Sequence, residues 1–159
     1  MRLALYQPDI PQNTGTILRL ATCLDVAVDI VEPCGFPLDD RRMRRAGMDY
    51  MDNARLVRHP NWEAFRTKTP GRLILMTTKA ATPLTDFRFD ENDTIVMGRE
   101  SAGVPDQIHN DADARILIPM AVGRRSLNVA AAAAIALGEG LRQTGGYPPI
   151  PGKENERDD

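Results

Sequence analysis

Three short polar stretches of this chain carry residues able to do chemistry, and each follows an apolar run. The first, Gln7-Pro8-Asp9-Ile10-Pro11-Gln12-Asn13, continues through Thr14-Gly15-Thr16-Ile17-Leu18 to Arg19, setting an amide and a guanidinium six residues apart. The second, Gly98-Arg99-Glu100-Ser101-Ala102-Gly103-Val104-Pro105, places two glycines around charged side chains. Those glycines permit close backbone approach or a positive φ. The third, Gly123-Arg124-Arg125-Ser126-Leu127-Asn128, follows Ile118-Pro119-Met120 and ends on residues that start helices well. A helix beginning there offers free amide donors to an anionic or polar ligand. Each stretch also has a plain reading: Asn13 as a helix cap, Arg19 as a surface arginine, the glycines as turn formers.

What is missing narrows the chemistry. Gly15 stands alone where a dinucleotide-binding turn needs G-x-G-x-x-G, which counts against a nicotinamide enzyme and against a methyltransferase with a glycine-rich first turn. Cys23 and Cys34 have neither metal-ligand spacing nor a disulfide framework, so no metal is expected.

The elements that must hold these loops follow from periodicity. Arg2–Tyr6, Val26–Val31, Ala54–Arg58, Leu73–Thr77, Thr94–Met97 and Arg115–Ile118 read as strands. Helices are expected from Asn13–Thr14 through Leu24, from Asp39 to Gly47, from Asn61 to Lys68, over Pro105–Asn110 and over Asn128–Gln143. Strands separated by helices predict an α/β fold, a mostly parallel sheet with helices on both faces. In such a sheet ligands gather at the carboxyl ends of strands, where the three loops fall. Residues 1–149 read as one domain with no internal repeat. From Gly145 the chain turns Gly/Pro-rich and then charged, so 150–159 is expected to be a disordered tail.

A chain of 159 residues suits one such domain, and 42% hydrophobic with 26% charged residues describes an ordinary globule. Its longest apolar run, Val129 to Leu137, is about half a membrane span. The N-terminus meets Pro8 before any signal-peptide core could form, so no export is expected and a cytoplasmic location is the simplest reading. The net charge of −2 argues weakly against nucleic acid. That charge sits in the tail, where Lys153 and Arg157 face Glu154, Glu156, Asp158 and Asp159, leaving the body formally neutral. Apart from Lys68, Lys79 and Lys153, the 20 basic residues are arginines, whose fork matches phosphate. Arg41, Arg42, Arg44 and Arg45 form one cluster and Arg124–Arg125 a second pair. Such clusters are more often solvated helix faces than nucleic-acid grips, yet a neutral protein can bind RNA through one local patch.

The three stretches are specific as a set. N-x5-R near the N-terminus, G-R-E-S-A-G-V-P after a buried strand and I-P-M-x5-S-L-N before a C-terminal helix resemble, in the same order, the motifs of the SPOUT superfamily of RNA ribose methyltransferases. The opening ALYQPDIPQNTG, the segments LMTTKA and AGMDY and the closing GGYP resemble its minimal single-domain members, which methylate the tRNA wobble nucleotide. This resemblance implies a deep trefoil knot in the C-terminal third, which no spacing argument could supply. It implies S-adenosyl-L-methionine (SAM) as methyl donor, held by Met76, Gly98, Ile118, Ser126, Leu127 and Asn128. It also implies a homodimer built on the first and last helices, with the tRNA anticodon stem-loop as partner and no membrane.

The implied reaction is direct displacement, the ribose 2′-oxygen attacking the SAM methyl carbon, with alignment supplying much of the catalysis. Arg19 takes the place of the family's catalytic arginine. A guanidinium scarcely deprotonates, so Arg19 is expected to bind phosphate and stabilise charge on the 2′-oxygen rather than act as a base. Asn13 would position its loop, Glu100 would orient an arginine, and Arg41, Arg42, Arg44 and Arg45 would contact the tRNA backbone. The rival readings are the same fold acting on another tRNA position or on rRNA, and a non-catalytic nucleotide-binding module.

Overall fold

The computed structural model describes residues 1–38 and 55–150. The helix expected over Asp39–Gly47, the arginines 41, 42, 44 and 45, the Asp49–Tyr50 pair and the tail from 151 lie outside the described residues. Seven strands form one sheet in the order β3-β2-β1-β6-β4-β7-β5, and every pairing among the described residues is parallel. They are β1 (Arg2–Tyr6), β2 (Ala27–Val31), β3 (Leu56–His59), β4 (Leu73–Met76), β5 (Thr82–Pro83), β6 (Thr94–Met97) and β7 (Ala114–Leu117). The helices are α1 (Pro11–Cys23), α2 (Trp62–Lys68), α3 (Asp106–Asp111) and α4 (Val129–Thr144).

Period-2 alternation divides the core between the two faces of the sheet. Leu3, Leu5, Ile95 and Met97 point to the face that packs Ile17 and Leu18 of α1 and Ala133, Ala136 and Leu137 of α4. Ala4, Val96, Leu73 and Leu75 point to the other, against Trp62 and Phe65 of α2 and Ile108 of α3. Helices therefore cover both faces, as the pattern predicts. A polar cluster joins β1, β2 and β3: Arg2 Nε donates to Asp29 Oδ2 at 2.8 Å, and Asp29 Oδ1 lies 2.7 Å from His59 Nε2. Asp29 and His59 are both buried, and nothing in the alternation of β2 and β3 marks them as partners.

Several boundaries differ from expectation, each for a local reason. The first helix begins at Pro11 with Ile10 as its N-cap, because proline at the first helical position fixes φ and needs no amide partner. Asn13 is therefore not a cap, and its side chain is free for longer-range bonds. The third strand begins at Leu56, Met76 ends β4, and Leu117 ends β7, which leaves Thr77 and Ile118 in loops. Pro105 caps α3 rather than opening it. The edge strand β5 and a 3-10 turn at Leu84–Asp86 were absent from the pattern, being too short to show periodicity. After α4 the chain folds back on the helix: Gly146 N donates to Leu141 O at 3.0 Å, and Tyr147 Oη donates to Gly138 O at 3.1 Å.

Candidate functional site

The carboxyl ends of β4, β6 and β7 open onto a cavity of about 400 Å³. That volume falls within the roughly 300–1,000 Å³ of small-molecule sites. Met76 and Thr77 reach it from β4, Gly98 and Glu100 from β6, and Ile118 and Met120 from β7. Asn13 of α1 and Ser126, Leu127 and Asn128 before α4 complete the wall.

The β6 loop is a tight return. Arg99 and Gly103 pair across it, Arg99 N donating to Gly103 O at 3.0 Å and Gly103 N to Arg99 O at 2.7 Å. Gly103 sits at φ +68, a left-handed conformation that favours glycine. Gly98 is needed for a different reason: a Cβ there would lie 3.0 Å from Gly103 C and 3.1 Å from Val104 Cγ1. The arginine of this loop is part of the cavity wall and is held by Gln7, its Nε donating to Gln7 O at 3.3 Å and its Nη2 to Gln7 Oε1.

Glu100 gathers the neighbouring elements. Asp9 N donates to its Oε2 at 3.0 Å and Asn13 Nδ2 to its Oε1 at 3.2 Å. Asn13 Oδ1 in turn accepts from Asn128 Nδ2 at 2.9 Å. Asn128 is the N-cap of α4, its Oδ1 accepting from Ala130 N at 2.8 Å and Ala131 N at 3.3 Å. The Asp9 carboxylate accepts from the Ser101 hydroxyl, while its Oδ1 is buried without a hydrogen-bond donor. Burial and the nearby Asp9 carboxyl push the Glu100 pKa up. Its hydrogen bonds to Glu100 and Ser101 pull the Asp9 pKa down. Two carboxyls this close favour holding one proton between them.

The structure thus brings together Met76, Gly98, Ile118, Ser126, Leu127, Asn128 and Asn13. It does not bring Arg19 to them. Arg19 is exposed on α1 and absent from the cavity wall. Six residues of helix carry it about 9 Å along the axis from Asn13 and roughly 120° around it. Asp9 and Thr77 were missed by sequence reasoning; a carboxylate two residues before the first helix was the available signal for Asp9. Among the described residues no group of His, Cys, Asp and Glu could hold a metal ion, and no helix is long and apolar enough to cross a membrane.

Residues 1–138 match the model of the SpoU rRNA Methylase family. A protein of Beijerinckia indica subsp. indica named tRNA (cytidine(34)-2′-O)-methyltransferase is 59% identical over 146 residues, spanning 90% of this chain and 91% of its own. A solved structure described as giving structural insights into the 2-OH methylation of C/U34 on tRNA superposes with a TM-score of 0.85 at 35% identity, over 89% of this chain and 94% of that one. The SpoU methyltransferase AviRb from Streptomyces viridochromogenes, solved with AdoMet, superposes with a TM-score of 0.78 at 27% identity, over 90% of this chain and 60% of that one.

Proposed function

The chain belongs to the SpoU rRNA Methylase family, and we propose that it transfers a methyl group from SAM to the ribose 2′-hydroxyl of the tRNA wobble nucleotide, position 34. One observation carries this reading: all six residues expected to hold the methyl donor meet around a single cavity, in a chain nine-tenths alignable with proteins so named.

The donor set fits SAM. The wall is mainly apolar, from Met76, Ile118 and Leu127, with loop amides and carbonyls exposed between β7 and α4. Arg99 is the one cation in that wall, and Gln7 engages its guanidinium, so the site offers little to a polyphosphate. An adenosine with a zwitterionic amino-acid tail suits such a lining better. When bound, SAM supplies an electrophilic methyl carbon, and the protein's part is alignment and exclusion of water.

The residues divide that work. Gly98, with no Cβ to meet Gly103 and Val104, lets the β6 loop return tightly beside the cavity. Asn128 holds the start of α4 at the cavity and, through Asn13, ties it to α1. Glu100 fixes both Asn13 and the backbone at Asp9. Arg19, outside this subunit's cavity wall on a helix of the proposed dimer interface, contacts RNA phosphate and would stabilise charge on the 2′-oxygen only where the homodimer brings it to the reacting ribose. Arg41, Arg42, Arg44 and Arg45 remain the assigned tRNA backbone contacts of the basic segment. The return from β7, beyond β4, to α4, which packs on β6 and α1, is the crossing that would close the trefoil knot. A homodimer through α1 and α4 accounts for the exposed Ile135, 45% accessible on a helix otherwise rich in alanine.

Two measurements test the reading together. Calorimetry with S-adenosylhomocysteine should find one site per subunit, and labelled SAM should methylate tRNA from cells lacking this gene. A chain that binds neither SAM nor S-adenosylhomocysteine overturns it. Sedimentation showing a stable monomer at micromolar concentration removes the dimer.

A further inference from the structure

The loop between β7 and α4 carries more than its share of the cavity wall. Residues 121–128 are all exposed, and the loop is pinned as a turn by Arg124 N donating to Ala121 O at 3.2 Å. Ser126, Leu127 and Asn128 face the cavity, which places Arg124 and Arg125 immediately beside its mouth. Thr78, beyond the end of β4, also lines the cavity, and the next residue, Lys79, is exposed.

These three cations share the rim of one cavity. Elsewhere five arginines are committed to acids: Arg2 to Asp29, Arg55 to Asp25, Arg58 to Glu32, Arg72 to Asp93 and Arg142 to Glu139. Among the described residues Lys79, Arg124 and Arg125 have no ion pair. The two acids nearest the cavity, Asp9 and Glu100, are held by Ser101 and Asn13 and by each other. Among the described residues no acid pairs with these three cations at the mouth. At the tip of the same loop Val122 is 101% accessible, an apolar side chain set beside the guanidinium pair.

We propose that this rim is a second RNA-binding surface, in which Arg124 and Arg125, with Lys79, grip the phosphates flanking the nucleotide that enters the cavity. Exposed Val122 packs against a nucleoside face. The inference rests on the proposed function and deepens it. It assigns the substrate's backbone to residues distinct from the 41–45 cluster, on the loop that also walls the methyl-donor cavity. One loop would thereby couple the two substrates: the chain that closes over one positions the other. Arginine suits the role because its fork reaches two phosphate oxygens at once.

The test compares wild type with Arg124→Ala/Arg125→Ala in the full chain, measuring tRNA affinity against salt by fluorescence anisotropy and S-adenosylhomocysteine affinity by calorimetry. Each lost single-strand phosphate contact lowers the slope of log K against log salt by about 0.7, so two should lower it by about 1.4 and weaken binding roughly ten-fold at 0.15 M salt. S-adenosylhomocysteine affinity should not change, and Lys79→Ala should lower the slope by a further half unit or more. Wild-type slope in the double variant would overturn the surface and leave the proposed function standing. A parallel loss of S-adenosylhomocysteine affinity would assign the arginines to the donor's carboxylate and overturn it as well. Wild-type protein that binds S-adenosylhomocysteine but no tRNA would overturn both the surface and the proposed function. The charge-swapped Arg124→Glu/Arg125→Glu should bind tRNA more weakly than the alanine variant; equal binding would contradict a phosphate contact.

Discussion

Asn128 Nδ2 donates to Asn13 Oδ1 at 2.9 Å, joining residues 115 positions apart in the chain. The same Asn128 caps α4 with its Oδ1, and the same Asn13 donates to Glu100. One amide thus sets the start of the last helix, and the next connects it to the first helix and the β6 loop. An amide is the side chain that can accept from a helix and donate to a neighbour at once.

The cap and the tie can be separated by substitution. Asn128→Asp keeps an N-cap acceptor, and its charge suits the helix start, but it cannot donate to Asn13. It should retain wild-type thermal stability while lowering S-adenosylhomocysteine affinity several-fold in calorimetry. Asn128→Ala loses both functions and should also cost about 0.5–2 kcal/mol of stability in urea melts. Full affinity in the aspartate variant would show that the tie plays no part in shaping the cavity.

The Glu100 environment predicts a pH dependence of stability. Burial and the Asp9 carboxyl raise the Glu100 pKa, so the folded chain holds a proton that the unfolded chain has released. Folding stability from this group is therefore full below the ordinary glutamate pKa and falls as pH rises through the raised value. Asp9 has the opposite sign: its lowered pKa contributes stability above its ordinary value, lost only as pH falls through the lowered one. Glu100→Gln cannot ionise, and its amide keeps only one of the two acceptors that Asp9 N and Asn13 Nδ2 use. Its melting temperature relative to wild type should rise as pH climbs from the ordinary glutamate value of 4.5 toward the raised one. A difference independent of pH across that window would contradict the shared-proton reading.

Arg19 is predicted to act on the RNA side. Arg19→Ala should fold and bind S-adenosylhomocysteine as wild type does, since the residue is outside the cavity wall. Its single-turnover methyl transfer should fall by about a hundred- to a thousand-fold, the usual loss for one well-placed electrostatic donor. Arg19→Lys should recover little if the fork makes two contacts. A defect that closes steeply at high pH would indicate proton abstraction instead, and near-normal turnover would make Arg19 a bystander.

Much of this was legible in the chain because the signals were local. Arg2–Tyr6 and Thr94–Met97 appear as strands at their expected bounds, since continuous apolar runs mark strands buried on both faces. The six cavity residues were placed by motif resemblance, and the fold brings them together. What escaped was non-local. The link from Asn13 to Glu100 and Asn128 depends on three loops meeting, which no spacing encodes. The Asp29–His59 pair depends on strand register, Val31 opposite His59 and Asp29 opposite Val57. The helix expected from Asn13–Thr14 starts at Pro11 instead, because the proline signal governs the helix start.

The central claim is that the 2′-oxygen of nucleotide 34 receives the methyl group. The most direct test is single-turnover transfer from labelled SAM to two tRNA substrates that differ only there, one with ribose and one with 2′-deoxyribose at position 34. The account predicts stoichiometric methylation of the first, located by mass spectrometry to the ribose of nucleotide 34, and none of the second. Equal methylation of both substrates, or a methyl group on a base or on another nucleotide, would contradict it.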